Sequence, residues 1–282
     1  MSRSTRPRGA RFTTGLRPAR ALSSAQDVLR QVYPSDGILG SIVDRRGMPL
    51  PRGTWAIFGV AFVGFATPVI GFVELAERIR GDAGLPFDRP VMMWLRSKHS
   101  SRNTRIARVV TELGGVTAVP LFALAASAYL VSVRGSRRPA ALLTVSLVGS
   151  TIINSVLKVL YRRGRPTFFA HIVEEKSFSF PSGHAMASAA LAGCACVLAW
   201  PTVWRAPVIA GSAVYVPTIG ATRMYLGVHY PSDILAGWCV SLAWVGEVAT
   251  IMWLMDRLDA DRVPMIRRRT PPPVTADADS VE

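Results

Sequence analysis

Six long apolar blocks limit what this chain can fold into. They cover residues 55–73, 113–133, 139–157, 185–200, 206–222 and 234–255; five carry no charge, and the sixth holds only Glu247. A helix rises 1.5 Å per residue, so stretches of about 20 apolar residues span a hydrocarbon core of about 30 Å. Blocks of that length, repeated six times, predict an all-α bundle of six membrane-spanning helices, with both termini on one side. Block four is the shortest, but its Ala, Gly and Ser suit close helix packing. Glu247 is expected to serve packing or a polar contact within its helix.

The rest of the chain is strongly basic, with a formal net charge of +15. In a soluble protein that would suggest nucleic acid. Here much of the excess lies in tails and connectors, so contact with anionic lipid head groups explains it more simply. On the expected topology, 19 of the 33 Lys and Arg fall on the side of the termini. That places residues 1–53, a basic and partly disordered tail, in the cytoplasm together with a disordered tail at 257–282. The domain between, residues 54–256, turns its connectors 76–112, 161–183 and 223–233 outward. The first of these has helical periodicity with basic residues to one side, as one or two amphipathic helices lying in the interface would have. No cleavable signal peptide is expected, because the N-terminus is long and charged before its first apolar run. Cys194, Cys196 and Cys239 all lie in apolar blocks and read as small packing residues rather than metal ligands.

Three polar stretches interrupt the apolar pattern, each at the end of a block. Lys158-Val-Leu-Tyr-Arg-Arg-Gly-Arg165-Pro closes the third block. Lys158 reads either as an interface anchor that snorkels or as an anion ligand. Gly164 and Pro166 break the helix and turn Arg165 inward, while Arg162 and Arg163 are expected to face solvent or lipid. Pro181-Ser182-Gly183-His184 opens the fourth block. A helix start with free N–H groups is an anion site, and Ser182 adds a hydroxyl donor; the alternative is an ordinary turn that contains a histidine. Arg223-x5-His229-x3-Asp233 joins the last two blocks. If a helix begins at Pro231, Asp233 falls in its first turn, within reach of His229. It can then hold one imidazole nitrogen and leave the other as a nucleophile; otherwise His229 is a surface residue beside a helix start. Together the three stretches offer three cations, two histidines, a carboxylate and a helix N-terminus on one side of the bundle. Those are parts for holding and cleaving a phosphate, a reaction slow enough to need several charge-assisted contacts.

The order Lys-x6-Arg-Pro, Pro-Ser-Gly-His, Arg-x5-His-x3-Asp resembles the three signature motifs of the type 2 phosphatidic acid phosphatase superfamily. That family includes bacterial undecaprenyl-diphosphate phosphatases and the vanadium haloperoxidases. The third motif usually opens Ser-Arg, where this chain has Thr222-Arg223. The resemblance covers about residues 55–255, and the six blocks speak against the haloperoxidase branch. It implies a multi-pass plasma-membrane enzyme that hydrolyses a lipid phosphate or diphosphate at the outer face. In such an enzyme His229 attacks phosphorus, Asp233 orients His229, and His184 serves the leaving group and then water. Lys158, Arg165, Arg223, Ser182 and Gly183 bind the phosphate. The resemblance implies no metal and no other cofactor. A polyprenyl diphosphate is the first choice of substrate, phosphatidic acid or phosphatidylglycerol phosphate comes next, and a glycosyl-polyprenyl phosphate is a further candidate; the motifs read only the phosphate and do not rank them. A lipid phosphotransferase using the same site, or a non-catalytic transporter or scaffold, are the other readings.

Overall fold

A computed structural model describes residues 52–80, 85–115 and 117–267. The two tails expected at 1–53 and 257–282 fall largely outside them, as does the short helix expected near 25–33. Within them the chain is helical, in the order α1 Arg52–Arg80, α2 Asp88–Ser97, α3 Ser101–Glu112, α4 Ala118–Ser132, α5 Arg137–Tyr161, α6 Gly183–Ala199, α7 Arg205–Tyr225 and α8 Pro231–Arg267. A helix stands at each of the six expected positions. α8 continues to Arg267, beyond the boundary expected at 256. By length and composition, α5 and the Pro231–Asp256 part of α8 can cross a membrane, while α4 and α6 are shorter apolar helices.

The core lies where α4, α5, α6 and α8 meet. Val119, Leu142, Leu143, Leu147, Ala190, Cys194, Val245 and Val248 form one buried cluster there. Small residues let these helices approach closely. A Cβ at Gly149 would lie 2.3 Å from the Trp244 ring, and one at Gly237 would lie 3.1 Å from the Ser182 carbonyl oxygen. Outward faces are apolar: Phe62 on α1, Phe122 and Leu124 on α4, and Ile152 and Leu160 on α5 are exposed. Exposed apolar surface of this extent marks faces that lipid or another protein covers. Glu247 is half-buried and lines a groove with Phe65, Phe72, Leu157 and Cys239.

The connector between α1 and α4 departs from expectation in two respects. The second block was expected to begin at 113, but α4 starts at Ala118. Gly114 and Gly115 end α3, and at Gly114 the missing side chain admits Ile219, which would lie 2.4 Å from a Cβ. The connector does hold two helices, but they do more than lie on a surface. Ser100 caps α3 by accepting from Asn103 N at 3.1 Å. The Tyr225 hydroxyl accepts from Ser100 N at 3.2 Å and His99 Nε2 is 2.9 Å from Tyr225 O, so the turn between α2 and α3 is tied to the end of α7.

Candidate active site

The polar stretches meet at one end of the bundle because α5 and α7 end there and α6 and α8 begin there. α5 stops at Arg162, whose backbone is left-handed (φ 45°) and whose N–H returns to Lys158 O at 3.0 Å. The chain then crosses the bundle end without helical hydrogen bonds until α6. Ser182 is the N-cap of α6, its Oγ accepting from Ala185 N at 3.4 Å. Asn154 on α5 holds this turn, donating from Nδ2 to Pro181 O at 3.1 Å. A Cβ on Gly183 would come 3.2 Å from the Asn154 side chain. Gly227, with φ at 83°, makes the sharp reversal between α7 and α8; a Cβ there would meet Phe169 at 2.8 Å.

His229 and Asp233 are both buried, and His229 Nδ1 lies 3.4 Å from Asp233 Oδ2. The pairing expected from a helix beginning at Pro231 is therefore present. His229 Nδ1 has no closer partner. Burial, reinforced by Arg223 and Arg165, pushes the imidazole down to about 4 despite the neighbouring Asp233. A neutral imidazole keeps a lone pair on one nitrogen, which is the form that attacks phosphorus.

The Asp233 carboxylate is held from several sides. Tyr230 N donates to Oδ2 at 2.9 Å, Ser179 Oγ donates to the same oxygen, and Arg163 Nη1 donates to Oδ1 at 2.5 Å. Arg163 thus corrects the expectation that it faces solvent or lipid. The helix ends two residues before it, so it leaves the lipid-facing surface of α5 and turns with Arg165 into the bundle end. Its Nη2 donates to Asp88 Oδ2 at 3.0 Å, and its guanidinium lies 3.9 Å from the Tyr230 ring centroid. Asp88, buried in the first turn of α2, also accepts from Ser232 N at 2.9 Å and Ser232 Oγ at 2.7 Å. A buried Asp88–Arg163–Asp233 chain thus runs from the connector to the carboxylate behind His229.

The expected phosphate ligands Lys158, Arg165 and Arg223 share partners at the same bundle end. Arg165 Nη1 donates to Val228 O at 2.8 Å and Nε to Ser177 O at 2.9 Å. Lys158 Nζ donates to Ser177 Oγ at 2.8 Å. Arg223, buried, donates from Nη1 to Thr111 Oγ1 at 3.2 Å and from Nη2 to Glu175 Oε1. Glu175 Oε2 lies 3.7 Å from Arg165 Nη2, so one carboxylate reaches both arginines. Burial works to raise the Glu175 carboxyl, but Arg223 and Arg165 outweigh it and hold it below its ordinary value. His184, Arg223, Thr111 and Glu175 line a cleft of about 460 Å³. The structure brings all eight expected site residues to this end of the bundle, around that cleft and the His229–Asp233 pair.

Sequence reasoning missed Asp88, Thr111, Arg163, Glu175 and Ser179. Arg163 had a readable signal: it stands two residues from Arg165 in a segment that Gly164 and Pro166 keep from being helical. Asp88 did too, as a carboxylate between Phe87 and Pro90 where a helix begins. Thr111 and Ser179 carry no local signal.

The geometry defines a class by its architecture: a helical bundle that buries a His–Asp pair beside a cluster of cations at one end. Comparison with known proteins narrows this. Residues 139–257 match the PAP2 superfamily. Phosphatidylglycerophosphatase B of Bacillus subtilis is 40% identical over 101 residues, 32% of this chain and 47% of that protein. An undecaprenyl-diphosphatase of Sulfolobus acidocaldarius is 29% identical over 124 residues, 42% of this chain and 57% of that protein. The chain spans about half the length of these curated relatives. The crystal structure of a transmembrane PAP2-type phosphatidylglycerolphosphate phosphatase from Bacillus subtilis superposes with a TM-score of 0.63 at 24% identity, over 67% of this chain and 96% of that one. The two chains share a fold.

Proposed function

We propose that the chain is an integral membrane phosphatase that cleaves the phosphomonoester or diphosphate of a lipid through a phosphohistidine. The observation that carries this reading is the buried His229–Asp233 pair, 3.4 Å apart, set beside Lys158, Arg165 and Arg223. In the first step the free nitrogen of His229 attacks phosphorus and a P–N bond forms. The bond from phosphorus to the leaving oxygen breaks, and that oxygen takes a proton from His184. A bound dianion places negative charge beside His184 and so favours the imidazolium needed for this. In the second step His184 accepts a proton from water as the water oxygen attacks phosphorus. The P–N bond breaks, inorganic phosphate forms and His229 is regenerated. Asp233 holds the Nδ1 side of the ring and stabilises positive charge on it. Arg165, Arg223, Lys158, Ser182 Oγ and Gly183 N–H take the phosphate oxygens. All charge stabilisation in this scheme comes from the chain, with no metal.

The relatives' names bear on substrate: one is called a phosphatidylglycerophosphatase and another an undecaprenyl-diphosphatase. The substrate proposed here is a lipid of that kind, with its phosphate at the interface. The topology proposed is six crossings of the plasma membrane, with cytoplasmic termini and the site outside. The exposed Arg102 and Arg105 on α3 then contact anionic head groups.

The direct test is phosphate release by the purified protein and His229→Ala, in EDTA, from phosphatidic acid, phosphatidylglycerol phosphate and a polyprenyl diphosphate. Release by the wild type alone supports the reading, and the preferred lipid fixes the substrate. Phosphate appearing on an added lipid or sugar instead of in solution makes the protein a phosphotransferase. No reaction with any lipid overturns the reading.

A further inference from the structure

Glu175 occupies the place the proposed reaction gives to phosphate. Arg223 Nη2 donates to its Oε1, and Arg165 Nη2 lies 3.7 Å from its Oε2. Two of the three cations assigned to the substrate are thus engaged by a carboxylate of the same chain. The third, Lys158, is held one step away on Ser177 Oγ, which Arg165 Nη2 also approaches at 3.3 Å. Glu175 is not locked in: its side chain is 28% exposed, whereas that of Arg223 is 3% exposed. The fit is also incomplete. Arg223 Nε is buried and has no hydrogen-bond partner. A carboxylate offers two oxygens in a plane; a phosphoryl group offers three in a tetrahedral array. It can therefore take an unused guanidinium donor as well as the two cations.

We propose that Glu175 is a displaceable carboxylate that competes with the phosphoryl group for Arg165 and Arg223, and so sets how tightly the site holds substrate and how readily it gives up inorganic phosphate. When the carboxylate is in place, the seat is closed to anions. Apparent affinity is then reduced by the fraction of time the seat is open. The benefit comes at the end of turnover. A seat lined with three cations holds inorganic phosphate as it holds substrate, and the returning carboxylate refills it. Glu174, the neighbouring carboxylate, lines the same cleft but is exposed and is absent from these ion pairs.

The inference rests on the phosphatase reading only in taking this seat for the phosphate, and two measurements keep them apart. The first is calorimetric binding of inorganic phosphate to the purified full chain, which needs no turnover. The second is KM, kcat and the inhibition constant for inorganic phosphate, with phosphatidic acid as substrate. Both are made on wild type, Glu175→Gln, Glu175→Asp and Glu174→Gln. Losing one charge-assisted contact corresponds to about tenfold or more. Glu175→Gln is therefore expected to lower the dissociation and inhibition constants of phosphate by that factor, to lower KM with them, and not to raise kcat. Glu175→Asp, shorter but charged, falls between wild type and Gln, and it carries the test if the Gln variant does not fold. Glu174→Gln, which removes a charge from the same cleft but breaks none of these ion pairs, changes phosphate binding by less than Glu175→Gln. If Glu175 only tethers its segment, its loss lowers kcat and Tm and leaves phosphate binding unchanged or weaker; that result overturns the proposal. So does an aspartate variant that binds phosphate like the wild type. If no lipid is turned over, the phosphatase reading fails, and calorimetry alone decides whether Glu175 competes for the seat.

Discussion

In the proposed mechanism His229 is a nucleophile poised by burial. Its environment disfavours the imidazolium more than Asp233 favours it, so the ring is neutral well below physiological pH. The sign of the pH dependence follows. In the proposed mechanism the reactive form is the deprotonated one, so kcat/KM has an acid limb as pH drops through about 4, while the proton that His184 must hold sets an alkaline limb. A pH–rate profile checks this, and an acid limb near 6.5 would mean that His229 titrates as a solvated histidine. In the same mechanism Asp233 acts through His229. Asp233→Asn is expected to leave the fold intact and cut kcat by about 10⁴-fold, by analogy with the carboxylate of a catalytic triad. Steady-state kinetics with a circular-dichroism control measures it. Arg163 bridges two carboxylates whose side chains are 0% and 4% exposed, and is itself 11% exposed. Removing one partner of a buried ion network leaves uncompensated charge, so Arg163→Met is expected to cost about 3–5 kcal/mol. Thermal unfolding in detergent reads this, and a Tm equal to wild type would show that the Asp88–Arg163–Asp233 chain carries no stability.

At the scale of elements, the site is a meeting of helix ends, and that much was legible. The apolar blocks placed the ends, and the three polar stretches each fell on one of them. Lys158, Arg165, His184, Arg223, His229 and Asp233 could be assembled because each is polar at the margin of an apolar run. Asp88 and Thr111 could not be placed, because their partners Arg163 and Arg223 are 75 and 112 residues away along the chain. Periodicity reports which face of a helix is buried, not which neighbour covers it, so the connector read as an interfacial surface although it braces the site. Glu175 was missed for a similar reason: a carboxylate in a polar segment looks solvated until the fold sets two guanidiniums against it. The approach of α6 to α8 also depends on one residue. Gly237→Val would drive side-chain carbons into the Ser182 carbonyl and Ala185, whose atoms already lie 3.1 and 3.2 Å from a Cβ at Gly237. Overpacking of this kind costs about 1–3 kcal/mol. The shift falls on the helix start that presents Ser182, Gly183 and His184, so activity is expected to drop more than stability. Comparing kcat with Tm in this variant separates the two.

At the scale of the whole molecule, apolar outer faces and a cluster of cations belong to one helical bundle. A bundle with apolar outer faces and a cationic end suits a substrate anchored in the same bilayer, since the lipid brings its phosphate to the level of the helix ends. The proposed topology is open to single-cysteine labelling. In a chain with its three native cysteines replaced, a cysteine at Lys176 is expected to react with an impermeant maleimide in intact cells. One in the turn between α4 and α5, at Ser136, is expected to react only after the membrane is opened; the reverse pattern would invert the orientation. The central claim is the covalent step on His229. Its most direct measurement is a rapid quench of the enzyme with ³²P-labelled lipid phosphate, followed by the acid and base stability of the protein-bound label. The account predicts an acid-labile, base-stable label on the wild type that is absent from His229→Ala. Turnover by the wild type with no such label, or a label that persists in His229→Ala, would contradict it.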